Sequence, residues 1–292
     1  MSAESVDVAI VGYGPVGQAL ALQLGRAGHR IAVFERFQEA YRMPRAVHID
    51  HEVMRLLQDL GLADELAGEM VAVSEYRWFG ADGEPLMTLG QPAPSASGWE
   101  PDYLFFQPAL EATLDRAVAA QPSVTVQRGW AAEKLETATD GARLTVRREQ
   151  EDGPQGDTRE MEARWVVGAD GANSFVRESL GIDRRDLGFR ERWFVVDVQP
   201  RDGFDPVALA PACQWCDPAR PCGVCLFDRA WFLGGDAVLV DESAEPVVPA
   251  DRVGGRRRDR LCWLAGLGRS GAERAVRPMP VVVVDELVQD MP

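Results

Sequence analysis

Lysine is all but missing from this sequence: Lys134 stands alone, and arginine supplies the rest of the basic charge. That skew reads as GC-rich coding rather than as chemistry. With 46 acidic residues against 31 basic ones, the formal charge is −15. A phosphate backbone needs a basic footprint, so a nucleic-acid partner is disfavoured. Long apolar runs are missing too: none approaches the ~20 residues that span a bilayer, and no basic segment with an apolar core opens the chain. The expectation is a cytoplasmic protein with no membrane partner. Histidine is scarce, with three in all. His48 and His51 flank the start of a helical pattern, where solvated or capping roles outweigh a metal pair.

What is present is ordinary globular material. A chain of 292 residues with 46% hydrophobic and 26% charged residues can hold two packed domains, or one large domain with an insertion. Four of its five cysteines form a compact cluster, Cys213, Cys216, Cys222 and Cys225, spaced CxxC-x5-CxxC. Such knuckles could offer four thiolates to zinc. The connection CDPARPC is short and stiffened by Pro218 and Pro221, so reduced, partly buried thiols are the favoured reading and no metal is expected.

The most informative stretch runs from Asp7 to Arg36. An apolar run (Val8 to Val11) enters GYGPVG, a helical pattern follows, and a second apolar run (Ile31 to Phe34) ends in Glu35. This is a strand, helix, strand unit with a dinucleotide fingerprint. Gly12 turns the chain sharply out of the strand, Gly14 leaves room for a pyrophosphate, and Gly17 lets the helix lie close. Pro15 suits a first helical turn, where an N–H has no intrahelical use. Free N–H groups and the dipole at that helix start would hold phosphates. Glu35, eighteen residues past Gly17, can accept hydrogen bonds from both ribose hydroxyls and would repel a 2′-phosphate.

Further along, Asp50 is a candidate N-cap for a helix carrying Val53, Leu56, Leu57 and Leu60 as its apolar stripe, with Gly61 as its stop. Arg45 sits between a proline turn and this helix, where a cation could face a bound diphosphate or a flavin ring, or form a surface ion pair. Val71 to Phe79 reads as one alternating strand, turning at Gly80 to Gly83 into a partner near Leu86 to Leu89. Gln91 to Pro101, rich in Pro, Ser and Gly, reads as a crossover between domains. A helix then starts at Pro108, with Leu110, Leu114 and Val118 on one stripe and Pro122 as the stop; Gln107 precedes it with an amide that can donate and accept. Short strands are expected at Val124 to Gln127 and Arg143 to Arg147, with Trp130 to Ala138 between them and a polar hairpin tip at Glu149 to Glu160.

The second informative stretch is ARWVVGADGANSFVRESLG. A buried strand, Trp165 to Val167, leads into Asp170 and Gly171 and then a helix carrying Ser174 and Arg177. An Asp at the carboxyl end of a strand, ahead of a helix N-terminus, can reach a ribityl or ribose hydroxyl in the crevice where such sheets bind ligands.

Taken together, GYGPVG, Glu35-Arg36, PRAVHID at Arg45, QPALEATL at Gln107 and GADGANSFVR at Asp170 resemble the single-component FAD-dependent aromatic hydroxylases of the para-hydroxybenzoate hydroxylase fold. Within that family the likeness is to the 3-(3-hydroxyphenyl)propionate hydroxylases, and WFVVDV (Trp193 to Val198) and CDPARP look like the same subgroup. The resemblance implies an α/β fold: a Rossmann-like FAD/NAD(P)-binding domain with a second, mainly β-sheet substrate domain. It divides the chain into 1–70 with 100–183 for FAD, 71–99 with 184–222 for a partial substrate sheet, and a divergent tail at 223–292. Gly12, Gly14, Pro15 and Gly17 would receive the FAD pyrophosphate, and Glu35 with Arg36 the adenosine end. Arg45 and Gln107 would lie near the diphosphate and ribityl parts, and Asp170 with Gly171 at the ribityl chain.

The implied reaction is hydroxylation of a phenolic aromatic acid with NADH or NADPH and O2, in aromatic catabolism. Trp78 or Trp193 is expected near the substrate, with core packing the plainer role for either. No catalytic base is assigned, and a homo-oligomer is compatible with the sequence. The family's third signature, a Gly-Asp ahead of a helix, has only the letters of Gly235-Asp236 to offer. From about Cys222 the likeness stops, and the expectation is a shifted reading frame that leaves a truncated enzyme. Alternatives are a flavin-binding remnant without turnover, a polyketide aromatic hydroxylase, and an NAD-dependent dehydrogenase that uses the first unit alone.

Overall fold

The computed structural model describes residues 4–40, 46–90, 94–149, 156–187, 192–198, 212–218, 221–228, 231–238 and 282–283. Arg45 lies outside them. The chain divides into two units, Met1–Arg45 with Gln107–Arg185, and Ala46–Phe106 with Asp186–Pro292.

The first unit is built on β1 (Glu4–Val11), α1 (Pro15–Arg26) and β2 (Ile31–Glu35). Val8 to Val11 and Ile31 to Phe34 are buried without a break, as expected of parallel strands covered on both faces. Its six-stranded sheet has the order β8-β2-β1-β11-β10-β9, where β8 is Val124–Arg128, β9 Trp130–Ala138, β10 Gly141–Arg148 and β11 Thr158–Gly168. The strands β8, β2, β1 and β11 run parallel, whereas β10 and β9 add on antiparallel. Helix α1 packs on α4 of this unit (Gln107–Ala119). Their buried faces carry Ala21 and Leu22 on one and Leu110, Leu114 and Val118 on the other. Each fully buried leucine there contributes ~1.5–3 kcal/mol. A second core gathers Ala9, Val11, Ala32 and Phe34 with Trp130, Leu144, Val146, Met161, Ala163 and Val176.

Two expectations for this unit need correction. Trp130 to Ala138 is a strand, not a separator. A register shift between Thr145 and Val146 pairs Leu135 with Leu144 but Ala132 with Val146. Inward residues therefore fall three apart across the bulge, and the simple alternation that signals a strand is lost. The strand ahead of Asp170 starts at Thr158, and Trp165, expected to be buried, is 68% exposed; Met161 and Ala163 are the residues that enter the core.

The second unit holds a seven-stranded sheet, order β16-β12-β15-β14-β13-β5-β6, and a three-stranded one, β3-β7-β4. The large sheet comprises β5 (Glu75–Phe79), β6 (Pro85–Gly90), β12 (Arg192–Val198), β13 (Ala212–Trp215), β14 (Cys222–Asp228), β15 (Trp231–Val238) and β16 (Val282–Val283). The small one comprises β3 (His48–Asp50), β4 (Val71–Val73) and β7 (Asp102–Leu104). The expected single strand from Val71 to Phe79 is thus two, one in each sheet. The alternation runs on through the bend at Ser74, so the pattern alone does not register the change of partner.

Asp50 caps α2 (His51–Asp59), its carboxylate accepting the N–H groups of Glu52 and Val53 at 3.0 and 2.9 Å. Gly61, with φ +66°, follows the helix end. The buried stripe is Met54, Leu57 and Leu60, and Val53 is 38% exposed. Leu57 and Leu60 are buried as expected, and Met54 rather than Val53 continues their stripe, since i−3 and i−4 both lie beside Leu57 on a helix. Short α3 (Ala63–Ala67) follows, and 94–101 holds neither helix nor strand. His48 Nε2 lies 2.8 Å from Asp102 Oδ1 across β3 and β7. Among the described residues no helix is long and apolar enough to cross a membrane.

Candidate functional site

The first βαβ turn has the geometry its residues dictate. Gly12 adopts φ +98°, which a side chain would oppose. A Cβ on it would also lie 2.6 Å from the carbonyl carbon of Ala169 and 2.9 Å from the Cα of Asp170. The loop after β11 is therefore pressed against the first glycine. The contact follows from register: Val11 pairs with Gly168, and the Ala169 N–H donates to the Val11 carbonyl at 2.7 Å. Gly17 is equally tight, since a Cβ there would run into the Gly12 carbonyl. Gly14 differs, because among the described residues a Cβ on it would meet nothing within 4 Å.

Gly14 is the N-cap of α1 and provides no side-chain cap, and Pro15 opens the first turn. The Gln18 N–H is the first to bond back, to the Gly14 carbonyl at 2.9 Å. The N–H groups of Val16 and Gly17 thus have no intrahelical acceptor, beside an open approach at Gly14. That combination fits a diphosphate.

Glu35 ends β2 beside this turn. Its Oε2 accepts the Tyr13 N–H at 2.9 Å and its Oε1 the Phe37 N–H at 3.0 Å. A carboxylate offers about four lone-pair directions, so about two stay open for a diol. Arg36 is exposed, its guanidinium 4.9 Å from the centroid of the Phe37 ring.

Asp170 uses its carboxylate on its own loop. Oδ1 accepts the Ser174 hydroxyl at 2.6 Å and Oδ2 the Val176 N–H at 3.2 Å. Ser174 in turn caps α5 (Phe175–Ser179), accepting the Arg177 N–H at 3.0 Å. The carbonyl of Ala172 receives Arg177 Nη1 at 2.6 Å and Arg184 Nη1 at 3.3 Å. Gly171, at φ +78°, makes the turn, and among the described residues a Cβ on it would meet nothing within 4 Å. What faces Gly12 from this braced loop is backbone.

Gln107 begins α4 and is buried, its Nε2 donating to Glu111 Oε1 at 2.6 Å. The structure thus brings Gly12, Gly14, Pro15, Gly17, Glu35, Asp170 and Gly171 to the carboxyl ends of adjacent parallel strands. Gln107 enters the same unit at a helix start, and Arg36, next to Glu35, is exposed.

Three residues that the sequence reading passed over belong to this region. The Tyr13 hydroxyl donates to Asp115 Oδ1 at 2.8 Å, and Arg128 Nη2 lies 3.3 Å from the same oxygen. The Arg128 guanidinium sits 4.9 Å from the Tyr13 ring centroid. Burial first, and then the bond and charge of Asp115, push the Tyr13 phenol well above its ordinary range. No local signal marks these residues: Tyr13 fills a slot that the fingerprint leaves free, and its partners come from a distant helix and strand.

Among the described cysteines, Cys213, Cys222 and Cys225 divide between the two faces of the β13–β14 hairpin. Cys213 pairs opposite Val224 and Cys222 opposite Trp215 on one face, while Cys225 packs with Ala212 and Tyr76 on the other. Among the described residues these three do not converge on one point, as ligands of one zinc ion must. Burial pushes the Cys213 thiol up to about 12 and that of Cys225 to about 11. In the same sheet Trp78 packs at 4.5 Å on Tyr76 and donates to Gln214 Oε1 at 3.0 Å. The side chain of Trp193 lies outside the described residues. Gly235 and Asp236 lie within β15.

Comparison with known proteins matches residues 5–217 to a family described as FAD binding domain. The chain belongs to that FAD-binding family. A probable NADH-specific resorcinol 4-hydroxylase of Rhodococcus jostii (strain RHA1) is 39% identical over 222 residues, covering 76% of this chain and 41% of that protein. A 3-(3-hydroxy-phenyl)propionate/3-hydroxycinnamic acid hydroxylase of Burkholderia cenocepacia (strain HI2424) is 38% identical over 221 residues, covering 76% and 39%. The chain thus spans about two fifths of the length of these curated relatives.

Among solved structures, p-nitrophenol 4-monooxygenase PnpA of Pseudomonas putida DLL-E4 superimposes with a TM-score of 0.76 at 22% identity, covering 96% of this chain and 67% of that one. The flavin-dependent monooxygenase PieE does so at 0.75 and 19%, covering 90% and 47%. At that identity they speak to fold: a mixed α/β arrangement with a Rossmann-like FAD-binding domain. The glycine turn, the open helix start and the terminal acid all lie within the matched residues 5–217.

Proposed function

We propose that this FAD-binding chain is the flavin-holding part of an NAD(P)H-dependent monooxygenase that hydroxylates a phenolic aromatic compound, of the resorcinol or 3-(3-hydroxyphenyl)propionate class, with O2. The observation that carries the reading is the seating of the Asp170 loop on Gly12 in a chain 38–39% identical to hydroxylases of such phenols. A dehydrogenase that used β1, α1 and β2 alone would have no need of that second loop.

In this reading the start of α1 holds the diphosphate through the N–H groups of Val16 and Gly17, with Gly14 leaving the approach clear. Glu35 takes the adenosine ribose hydroxyls. Asp170 acts by shaping its loop: its carboxylate fixes Ser174 and the start of α5, so that the backbone at 169–171 is presented at a fixed height over Gly12. Gln107, held by Glu111, borders the ribityl side, and Arg45 is assigned the diphosphate side. Bound FAD supplies the redox chemistry, accepting electrons from NAD(P)H and activating O2. The protein's share is binding, orientation and exclusion of water.

The test is purification with added FAD. A yellow protein that consumes NADH with O2 and yields a hydroxylated product from resorcinol or 3-(3-hydroxyphenyl)propionate is expected. A colourless protein that binds NADH but not FAD would overturn the reading. One observation favours a second reading, FAD binding without turnover: Gly235-Asp236 stands inside strand β15 rather than ahead of a helix. A yellow protein inert towards both phenols supports it.

A further inference from the structure

Glu35 and Arg128 are register partners on the parallel strands β2 and β8. Register partners present their side chains on the same side of a sheet. A guanidinium and a carboxylate so placed are within reach of a forked, charge-assisted pair. Here they do not form one. Arg128 Nη2 lies 3.3 Å from Asp115 Oδ1, and its guanidinium stacks 4.9 Å from the Tyr13 ring centroid. Tyr13 completes the clamp by donating its hydroxyl to the same Asp115 oxygen at 2.8 Å. Glu35 meanwhile bonds only the backbone N–H groups of Tyr13 and Phe37 among the described residues.

We propose that Asp115, with Tyr13, is a positioning residue that holds Arg128 away from Glu35 and so keeps that carboxylate open for the ribose hydroxyls of the FAD adenosine. The proposal rests on the reading of Glu35 as the ribose acceptor. Its chemistry is competitive. An Arg fork would fill the same two lone-pair directions that a vicinal diol needs, and would exclude the diol by occupying them. Tyr13 links the two halves of the device: its backbone orients Glu35 while its side chain restrains the cation that would otherwise take Glu35. The arrangement accounts for a buried tyrosine in a slot between two glycines, and for an acid on α4 whose partners are Tyr13 and Arg128.

The experiment is titration of the full chain with FAD, read by quenching of flavin fluorescence, on Asp115→Asn, Asp115→Ala, Arg128→Gln, Glu35→Gln and the Asp115→Asn/Arg128→Gln double variant. Far-UV circular dichroism and urea midpoints identify any variant that fails to fold; the Asn variant keeps an acceptor for Tyr13 and serves if the Ala variant does not. Asp115→Asn is expected to weaken FAD binding about tenfold, a change of about 1.4 kcal/mol. That loss should shrink on going from about 0.05 to about 0.5 M salt, because a partly exposed Arg–Glu pair is screened. Removing the released cation should rescue binding, so the double variant returns to within about twofold of the unaltered chain.

A role in packing alone would leave the double variant as weak as Asp115→Asn or weaker, and that result overturns the proposal. So does full FAD affinity in Asp115→Asn while Glu35→Gln is impaired; in both cases the ribose reading stands. If Glu35→Gln binds FAD normally, the ribose reading fails and takes the proposal with it.

Discussion

Replacing Gly12 and Gly14 one at a time separates the fold of the first unit from its hold on the cofactor. Alanine at Gly12 meets two penalties. The backbone there sits at φ +98°, and left-handed conformations cost an L-residue roughly 1–2 kcal/mol. The new methyl would also stand 2.6 Å from the Ala169 carbonyl carbon and 2.9 Å from the Asp170 Cα, with backbone rather than flexible side chain in the way. Overpacking of that kind costs about 1–3 kcal/mol. The expected loss is therefore about 2–5 kcal/mol, a large share of the stability of any domain, and a fall in Tm on the order of 10 °C.

Alanine at Gly14 meets neither penalty. Its φ is −75° and its Cβ would find open space. Losing the N-cap glycine should cost less than about 1 kcal/mol. That methyl would, however, project into the approach assigned to the diphosphate. Displacing one or two charge-assisted hydrogen bonds, worth about 1.5–3 kcal/mol each, should weaken FAD binding by about tenfold or more. The assay pairs urea unfolding of each chain without flavin with fluorescence titration of FAD. An unaltered urea midpoint for Gly12→Ala would refute the close seating of the Asp170 loop, and unchanged FAD affinity in Gly14→Ala would refute the diphosphate assignment.

Three further outcomes follow from the same structure. Ser174→Ala removes the cap of α5 and the partner of Asp170 Oδ1, and should cost about 1–2 kcal/mol in urea unfolding while loosening FAD; a loss below ~0.3 kcal/mol would mean that the cap is dispensable. Gln18 is fully buried with neither amide atom bonded among the described residues, so Gln18→Met should leave stability unchanged or raise it by about 1–3 kcal/mol, and clear destabilisation would point to a bound internal water. The thiols of Cys213 and Cys225 are raised by burial from 9.0 to about 12 and about 11, so both bind their protons more tightly folded than unfolded. Their contribution is complete below about pH 9 and is lost as the pH climbs through those raised values. Urea midpoints should hold from pH 7 to about 8.5 and fall from about 9 to 11, less steeply in the Cys213→Ser/Cys225→Ser chain; equal slopes would exclude the thiols as the cause.

What the sequence made legible was whatever is encoded within one turn or one strand. The glycines, Pro15 and Glu35 each answer a local demand of a βαβ unit, and Asp50 and Gly61 mark the ends of α2 by their own chemistry. Failures came where the third dimension changes the count. A bulge broke the alternation of β9, a bend at Ser74 sent one alternating run into two sheets, and an apolar helix hid its phase between Val53 and Met54.

The Asp170 loop shows how the two kinds of information combine. Its residue types foretold an acid at the end of a strand before a helix, but not what the acid bonds. The carboxylate caps its own loop through Ser174 and Val176, and the surface offered to Gly12 is main chain. A motif residue can thus spend its carboxylate on bracing its own loop. Asp170→Asn separates that role from contact with the cofactor, because an amide keeps one acceptor for Ser174 or Val176 but carries no charge. If the residue works through its loop, the Asn chain should bind FAD within a few-fold of normal and Asp170→Ala should not. Equal, severe loss in both, with α5 intact by circular dichroism, would place the carboxylate itself on the cofactor.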